Sequence, residues 1–219
     1  MQNTCTLVLP CLDEGAALRH LLPQVPPGLA VVVVDNGSTD DTAEVARAHG
    51  ALVVHEERRG YGAAVHRGIE AAATDLVAVM DGDGSMLPRD LAPLIDQVSR
   101  GAATMAVGRR RPVRRGVWPW HARLGNRVAL AVLRRRTGVR LHDIAPVRVC
   151  GRAELLALGV EDRRFGYPVE LLARASRAGW VIDEHDIEYH PRTAGTRSKV
   201  SGSVRGTVRA ARDFASVLR

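Results

Sequence analysis

The sequence predicts an α/β domain built on a mostly parallel sheet. Three observations carry this. Through the first half, short apolar runs alternate with helical patterns, the rhythm of strand–helix units that lay strands side by side in one direction. One run, Ala30-Val31-Val32-Val33-Val34, is apolar throughout and mostly β-branched, as expected of a strand covered on both faces. Residues 10–14, 35–38, 59–62 and 81–85 are polar or glycine-rich and fall at the carboxyl ends of predicted strands. In sheets of this kind that rim is where ligands sit.

The elements follow in order. Residues 4–9 have a strand pattern and 13–22 a helical one. Residues 30–34 form the second strand. Ser38-Thr39-Asp40-Asp41 supplies N-cap residues for a helix reaching about Ala48. Residues 51–54 form a third strand, and 63–73 a helix behind the glycines of RGYG. Residues 76–80 are the fourth strand. Residues 88–99 form a helix opened by Pro88, and 104–107 a fifth strand. The second half is less regular. It suggests an amphipathic helix at 117–136, strands at 141–149 and 181–189, and helices at 168–178 and 203–218.

The 219 residues are read as one catalytic domain, with a ligand-binding half at 1–108 and a second half at 109–219. No apolar run approaches the ~18 residues that a membrane span needs. The start, MQNTCTLVLP, has no basic region or cleavage pattern, so no secretory signal is expected. Cys5, Cys11 and Cys150 are odd in number and form no CxxC pair. They suit reduced thiols in a cytoplasm, not a disulfide framework or a zinc site. The net charge is +7, yet the basic segment 109–140 alone carries eleven arginines and no acid, which leaves −4 for the rest. Lys199 is the single lysine. Arginine in place of lysine elsewhere points to a bacterial genome of high GC content, but does not explain the clustering.

One stretch asks for chemistry. Residues 80–88 read MDGDGSMLP, directly after an apolar strand. Residues i and i+2 of a strand point the same way, so Asp81 and Asp83 can converge just past its end. Paired carboxylates repel unless a proton or a cation lies between them. Taken alone, the stretch is either a polar Asp-Gly turn or a metal site.

The rest of the chain resembles the family 2 glycosyltransferases of the GT-A fold, especially the dolichol- and polyprenyl-phosphate sugar synthases. The resemblance is carried in order by LPCLDEGAAL, VVVVDNGSTDDT, RGYGAAVHRGIEAA, MDGDGSMLP, VGRR, YPVELLARASRAGWVIDE and RTAGTRSKV. The sequence departs from the family pattern at four places. Asn36 stands for an aspartate, and Met86-Leu87 for His-Pro. Asp143 and Arg148 are one residue closer together, and the stretch from Arg192 to Ser198 is one residue longer.

The resemblance implies an inverting, metal-dependent transfer of a sugar from a nucleotide diphosphate sugar to a polyprenyl phosphate. It implies Mg2+ or Mn2+ at Asp81 and Asp83, with Asp83 coordinating directly and Asp81 serving the metal or a ribose. Pro10, Glu14, Asp35, Ser38, Arg59, Gly62, Asp81 and Gly82 would bind the donor. Glu14 could also cap a helix, whereas Asp35, at a strand end before Asn-Gly-Ser, is read as a ligand contact, and Gly60 and Gly62 would let a nucleotide approach the backbone. Arg110, Arg123, Asp143, Arg148, Arg192, Ser198 and Lys199 would serve phosphates or the acceptor, since the arginine fork suits phosphate oxygens. Glu170 would act as a base, orient an arginine or form a structural salt bridge.

Other readings fit less well. DGDGS also resembles the D-x-D-G-T of haloacid-dehalogenase phosphatases, but no acidic pair follows Lys199, the one available lysine. A sugar nucleotidyltransferase would carry a glycine-rich stretch after the first strand, and LPCLDEG has none. Transfer to a soluble hydroxyl acceptor keeps the same donor site. The basic segment could mark a nucleic-acid binder; with few aromatics and no binding motif, no nucleic-acid partner is expected. Trp118 and Trp120 beside the arginines suit a membrane interface. The expected location is therefore cytoplasmic, peripheral on the anionic inner face of the plasma membrane, and a homodimer is left open.

Overall fold

The computed structural model describes residues 4–193. Seven strands form one sheet: β1 (Cys5–Cys11), β2 (Leu29–Asp35), β3 (Leu52–His55), β4 (Leu76–Val79), β5 (Met105–Pro112), β6 (Val147–Gly151) and β7 (Ile182–Tyr189). Their order across the sheet is β3-β2-β1-β4-β6-β5-β7. All neighbours are parallel except the two pairs that involve β6. β6 comes late in the chain yet lies between β4 and β5, so the two halves of the sequence share one sheet.

The helices are α1 (Gly15–Leu21), α2 (Thr42–Ala48), α3 (Tyr61–Ala71), α4 (Leu91–Ser99), α5 (Trp120–Thr137), α6 (Arg152–Ala157) and α7 (Tyr167–Arg177). They cover both faces of the sheet. Alternate residues of a strand point to opposite faces. Val8, Val32, Val77 and Val79 therefore pack with Ile69 of α3, Leu133 of α5 and Leu172 of α7. Leu7, Leu9, Val33 and Ala78 pack on the other face with Leu18 of α1, Val45 of α2 and Leu94 of α4. Burial on both faces is why β1, β2 and β4 read as nearly unbroken apolar runs.

Three differences from the sequence reading have local causes. β5 continues to Pro112 instead of stopping near Val107, because β7 pairs with it along its whole length. Arg109 and Arg111 of this extension reach Asp186 of β7 at 3.7 and 2.7 Å. Part of the basic segment is thus strand, balanced by an acidic neighbour. β6 begins only at Val147, because Ala145 has a φ of 55° and Pro146 follows. α6 was not expected; it is a six-residue turn of helix closed before Gly159. The helix expected at 203–218 lies outside the described residues.

Candidate active site

The carboxyl ends of β1, β2 and β4 form the rim, and the register sets the order. Cys11 pairs with Asp35 and Asp35 with His55, while Val8 pairs with Val79. A cleft of about 1040 Å³ opens there. Of the residues singled out in the sequence, Pro10, Glu14, Arg59, Asp81, Gly82, Asp83, Arg110, Arg148 and Arg192 line it.

Asp83 is 2% exposed. Its Oδ1 accepts hydrogen bonds from the Ser85 N–H at 2.9 Å and the Ser85 hydroxyl at 2.6 Å. Its Oδ2 lies 2.8 Å from Arg192 Nη1, an ion pair without hydrogen-bond alignment. The strand exit behind Arg192 is tied to this loop, with His190 N–H donating to Ser85 O and Thr193 N–H to Asp83 O. Asp81 is half-buried. Burial, and then the neighbouring Asp83, raise its carboxyl to about 6, against the pull of Arg192, Arg110 and Arg148. A buried carboxylate oxygen with no hydrogen bond, beside a carboxyl that resists ionising, suits a cation. Among the described residues no group of three or more His, Cys, Asp or Glu converges on one point. The protein therefore offers a pair of hard oxygen donors. That fits Mg2+ or Mn2+, which accept one or two carboxylates and complete their shell with phosphate oxygens.

Arg148 stands on β6, opposite Val79 and Val107, and is 2% exposed. Its Nη2 donates to Ile144 O at 3.1 Å, whereas Nε and Nη1 have no hydrogen-bond partner. A buried cation with idle donors on a cleft wall is poised for an anion.

Tyr61 was not foreseen. It lines the cleft with Asp81 and Arg148, and burial, with Asp81 adding to it, pushes the phenol well above its usual range. The signal was present in RGYG, where the tyrosine sits between glycines on the ligand rim.

Several expected residues lie behind the wall. Asp35 accepts from Ser38 N–H at 2.8 Å and meets His55 at 3.2 Å. Burial works to raise its carboxyl, but the Ser38 hydrogen bonds and His55 bring it below the usual range. Ser38 Oγ accepts from Asp13 N–H at 3.0 Å, so it clasps the first loop. Neither lines the cleft. Gly62 is not an approach point for a nucleotide. A Cβ there would lie 2.7 Å from Tyr167 Cβ and 2.8 Å from Asp162 O, so its bareness lets α3 pack against residues 162–167. Gly60, at φ 151°, does line the cleft, although a Cβ there would press on Arg163 O.

Glu170 does not occupy the position of a base. Its oxygens accept from Glu161 N–H at 3.0 Å, Asp162 N–H at 2.7 Å and Arg174 Nε at 2.6 Å, and it faces away from the main cleft. Of its three readings, the salt bridge that orients an arginine is the one seen. Arg123 is exposed on α5, outside the cleft. Asp143 is 1% exposed and bonded to Arg110. Trp118 stacks on Arg110 instead of standing free for a membrane. Ser198 and Lys199 lie outside the described residues.

Asn36 explains one departure from the family pattern. Its amide donates to Glu56 O at 2.8 Å and Arg58 O at 2.9 Å, while Oδ1 accepts from Gly60 N–H at 2.8 Å. An aspartate has no proton for those two carbonyls. The asparagine thereby shapes the loop that carries Arg59, Gly60 and Tyr61.

Beyond Arg148 the cleft turns apolar. Ile144, Ala145, Pro146, Phe165 and Pro168 face Leu124, Val128, Ala129 and Val132 of α5. Trp120, Leu124, Val128 and Val132 recur every four residues along α5 and are exposed, Trp120 by 75% and Val128 by 56%.

A parallel sheet with one reversed strand, and a paired-carboxylate loop on its ligand rim, define a GT-A glycosyltransferase. The chain matches the glycosyl transferase family 2 model over residues 6–157, more than half its length, and belongs to that family. An uncharacterised glycosyltransferase of Mycobacterium tuberculosis is 54% identical over 216 residues, 99% of this chain and 98% of that protein. Polyprenol monophosphomannose synthase of Mycolicibacterium smegmatis is 31% identical, over 90% of this chain and 81% of that protein. Among solved structures, glucosyl-3-phosphoglycerate synthase of M. tuberculosis, in complex with Mn2+ and uridine-diphosphate-glucose, superposes with a TM-score of 0.78 at 24% identity, over 99% of this chain and 78% of that one. Another structure of that enzyme, with phosphoglyceric acid, gives 0.74 at 25% identity, over 99% and 78%.

Proposed function

We propose that this enzyme transfers a sugar from a nucleotide diphosphate sugar to a polyprenyl phosphate at a membrane surface. The observation that carries this reading is the continuity of the cleft. It runs from Asp81 and Asp83, past the buried Arg148, into an apolar passage along α5 that ends in exposed Trp120, Leu124 and Val128. A phosphate with a long apolar tail matches that sequence of surfaces.

Residues 1–108 supply the donor side and 109–219 most of the acceptor side of one domain. Asp83, with Asp81, would hold Mg2+ or Mn2+, which supplies charge stabilisation to the departing diphosphate. Pro10, Glu14, Arg59 and Gly82 border the donor. An anionic phosphate oxygen of the acceptor attacks the anomeric carbon from the face opposite the leaving group. The new C–O bond forms as the bond to the diphosphate breaks, and the nucleotide leaves as its diphosphate. No base is required, because the nucleophile is already ionised at neutral pH. Arg148 and Arg192 hold the two anions together. The polyprenol monophosphomannose synthase relative supports a lipid acceptor. The exposed arginines of α5 would meet an anionic leaflet.

A second reading replaces the lipid by a small phosphorylated acceptor. The structural neighbour solved with phosphoglyceric acid favours it, and the arginines around Asp81 would serve such a molecule equally. The deciding experiment offers labelled nucleotide sugars with manganese to a short polyprenyl phosphate, to phosphoglycerate and to free sugars. Label in the polyprenyl product is expected. Transfer only to phosphoglycerate or to a free sugar overturns the lipid reading.

A further inference from the structure

Arg192 stands on the carboxylate pair, and its backbone is fastened to the loop that carries that pair. Arg192 Nη1 lies 2.8 Å from Asp83 Oδ2, an oxygen that no hydrogen bond engages among the described residues. Asp81, whose carboxyl burial and Asp83 raise, is pulled back most strongly by Arg192. Burial works to lower the Arg192 guanidinium, but Asp83 and then Asp81 outweigh it and leave the group above its ordinary value. One arginine therefore serves both carboxylates. On either side of it, His190 N–H donates to Ser85 O at 2.9 Å and Thr193 N–H to Asp83 O at 3.1 Å. Gly84, at φ 76°, lies so close to Thr193 that a Cβ there would collide with Oγ1. The strand exit and the carboxylate loop thus form one unit. Arg192 can leave Asp83 only by turning its side chain, which is 27% exposed.

We propose that Arg192 is a placeholder for the divalent ion: it holds the Asp83 oxygen against a lone ion and yields it when a diphosphate arrives to take the guanidinium. This rests on the metal–diphosphate half of the function proposed above and makes that half conditional. Arg192 has to leave Asp83 before a divalent ion can use Oδ2, and without a diphosphate the two cations would remain neighbours. Like charges at such range in a partly buried site repel strongly. With a diphosphate in the cleft, which Arg192 lines, the displaced guanidinium finds phosphate oxygens that suit its planar fork. Ion and nucleotide then bind as a pair, each raising the affinity of the other by the same factor. The exchange is a side-chain rotation between two anions. It moves no proton and breaks no covalent bond.

The test measures Mn2+ binding to the full chain from the paramagnetic resonance of the free ion. It is run without nucleotide and then with UDP or GDP, after subtracting the ion that the nucleotide itself binds. Wild type should bind Mn2+ on the order of tenfold more tightly when the nucleotide it accepts is present, within the usual range of coupling between sites. Arg192→Met and Arg192→Gln remove the charge. Each should bind Mn2+ alone about tenfold more tightly than wild type, while the gain from nucleotide shrinks. Arg192→Lys keeps a cation opposite Asp83 and should stay near wild type without nucleotide. An arginine that only shaped the loop would give the reverse, weaker Mn2+ binding in both uncharged variants. Either of these suffices if the other fails to fold. Unchanged or weaker binding of Mn2+ alone in a folded uncharged variant would overturn the proposal. So would a wild type that binds Mn2+ equally well with and without nucleotide. A wild type that takes up no Mn2+ with either nucleotide would overturn the donor-site reading itself, and the placeholder with it.

Discussion

Asp83 gives its two carboxylate oxygens different partners. Oδ1 is taken by Ser85, which fixes the side chain, and Oδ2 faces Arg192. Asp83→Asn retains the shape and removes the charge. Manganese-linked binding of a nucleoside diphosphate should vanish in calorimetry, and turnover should fall by about two orders of magnitude or more; preserved metal-linked affinity in a folded variant would refute the assignment. Arg148 and Glu170 form a contrasting pair. Arg148→Ala removes a buried cation with idle donors and should cut turnover severely. Glu170→Gln keeps one acceptor for the N–H groups of residues 161 and 162, so most turnover should survive, at a cost of about 1–3 kcal/mol in denaturant unfolding. A folded but inactive Glu170→Gln enzyme would restore Glu170 as a base.

At the scale of elements, the contact between α3 and the segment ahead of α7 is set by missing side chains. A Cβ at Gly62 would press on Tyr167 Cβ, Asp162 O and Arg163 C, all within 2.9 Å. None of these is the flexible end of a side chain. Gly62→Ala should therefore destabilise by about 1–3 kcal/mol, as overpacking does, and lower the thermal midpoint by roughly 2–4 °C per kcal/mol; an unchanged midpoint would show that the contact can yield. The same contact shows what a sequence can and cannot tell. Alternation of apolar runs and helical patterns revealed β1 to β4 and their helices, because burial on both faces leaves a periodic trace. The reason for each rim residue left no such trace. Gly62 and Ser38 meet other parts of the protein, and Asp35 meets Ser38 and His55, yet a rim glycine or aspartate looks the same in sequence whether it faces a ligand or a loop. Asp81 and Asp83 stood out as a carboxylate pair just after a strand, and Arg148 only through the family resemblance; all three line the cleft. Tyr61 escaped notice, and Trp118 was read only as a membrane residue, because their neighbours come from distant segments.

The whole molecule is electrically lopsided, and α5 concentrates the asymmetry. Arg123, Arg127, Arg134 and Arg135 are exposed beside the apolar stripe from Trp120 to Val132, the composition of a helix that lies in a headgroup layer. No helix among the described residues is long and apolar enough to cross a membrane, so any attachment by this helix is peripheral. Cosedimentation with anionic liposomes should be strong at low salt and weaken steeply as salt rises, since each basic residue near the surface contributes about 1 kcal/mol. Neutralising Arg114, Arg115, Arg123 and Arg127 together should abolish it, and Trp120→Ala should weaken it at every salt concentration. Protein that stays in the supernatant at low salt and sediments as a dimer would assign the stripe to a second copy. The placement of β6 bears on how the enzyme is made. As the chain leaves the ribosome, β4 and β5 emerge with no strand to join them, and the one that does is about forty residues away by the numbering of β5 and β6. Until Val147–Gly151 arrives, both carry open edges of the kind that recruit other chains. A fragment ending at residue 108 should therefore aggregate, even though it contains the Asp81–Asp83 pair, and soluble, monomeric fragment would contradict this. Exchanging acceptor halves between relatives by a simple cut at the midpoint would meet the same obstacle, because the strand that carries Arg148 is woven into the donor's own sheet.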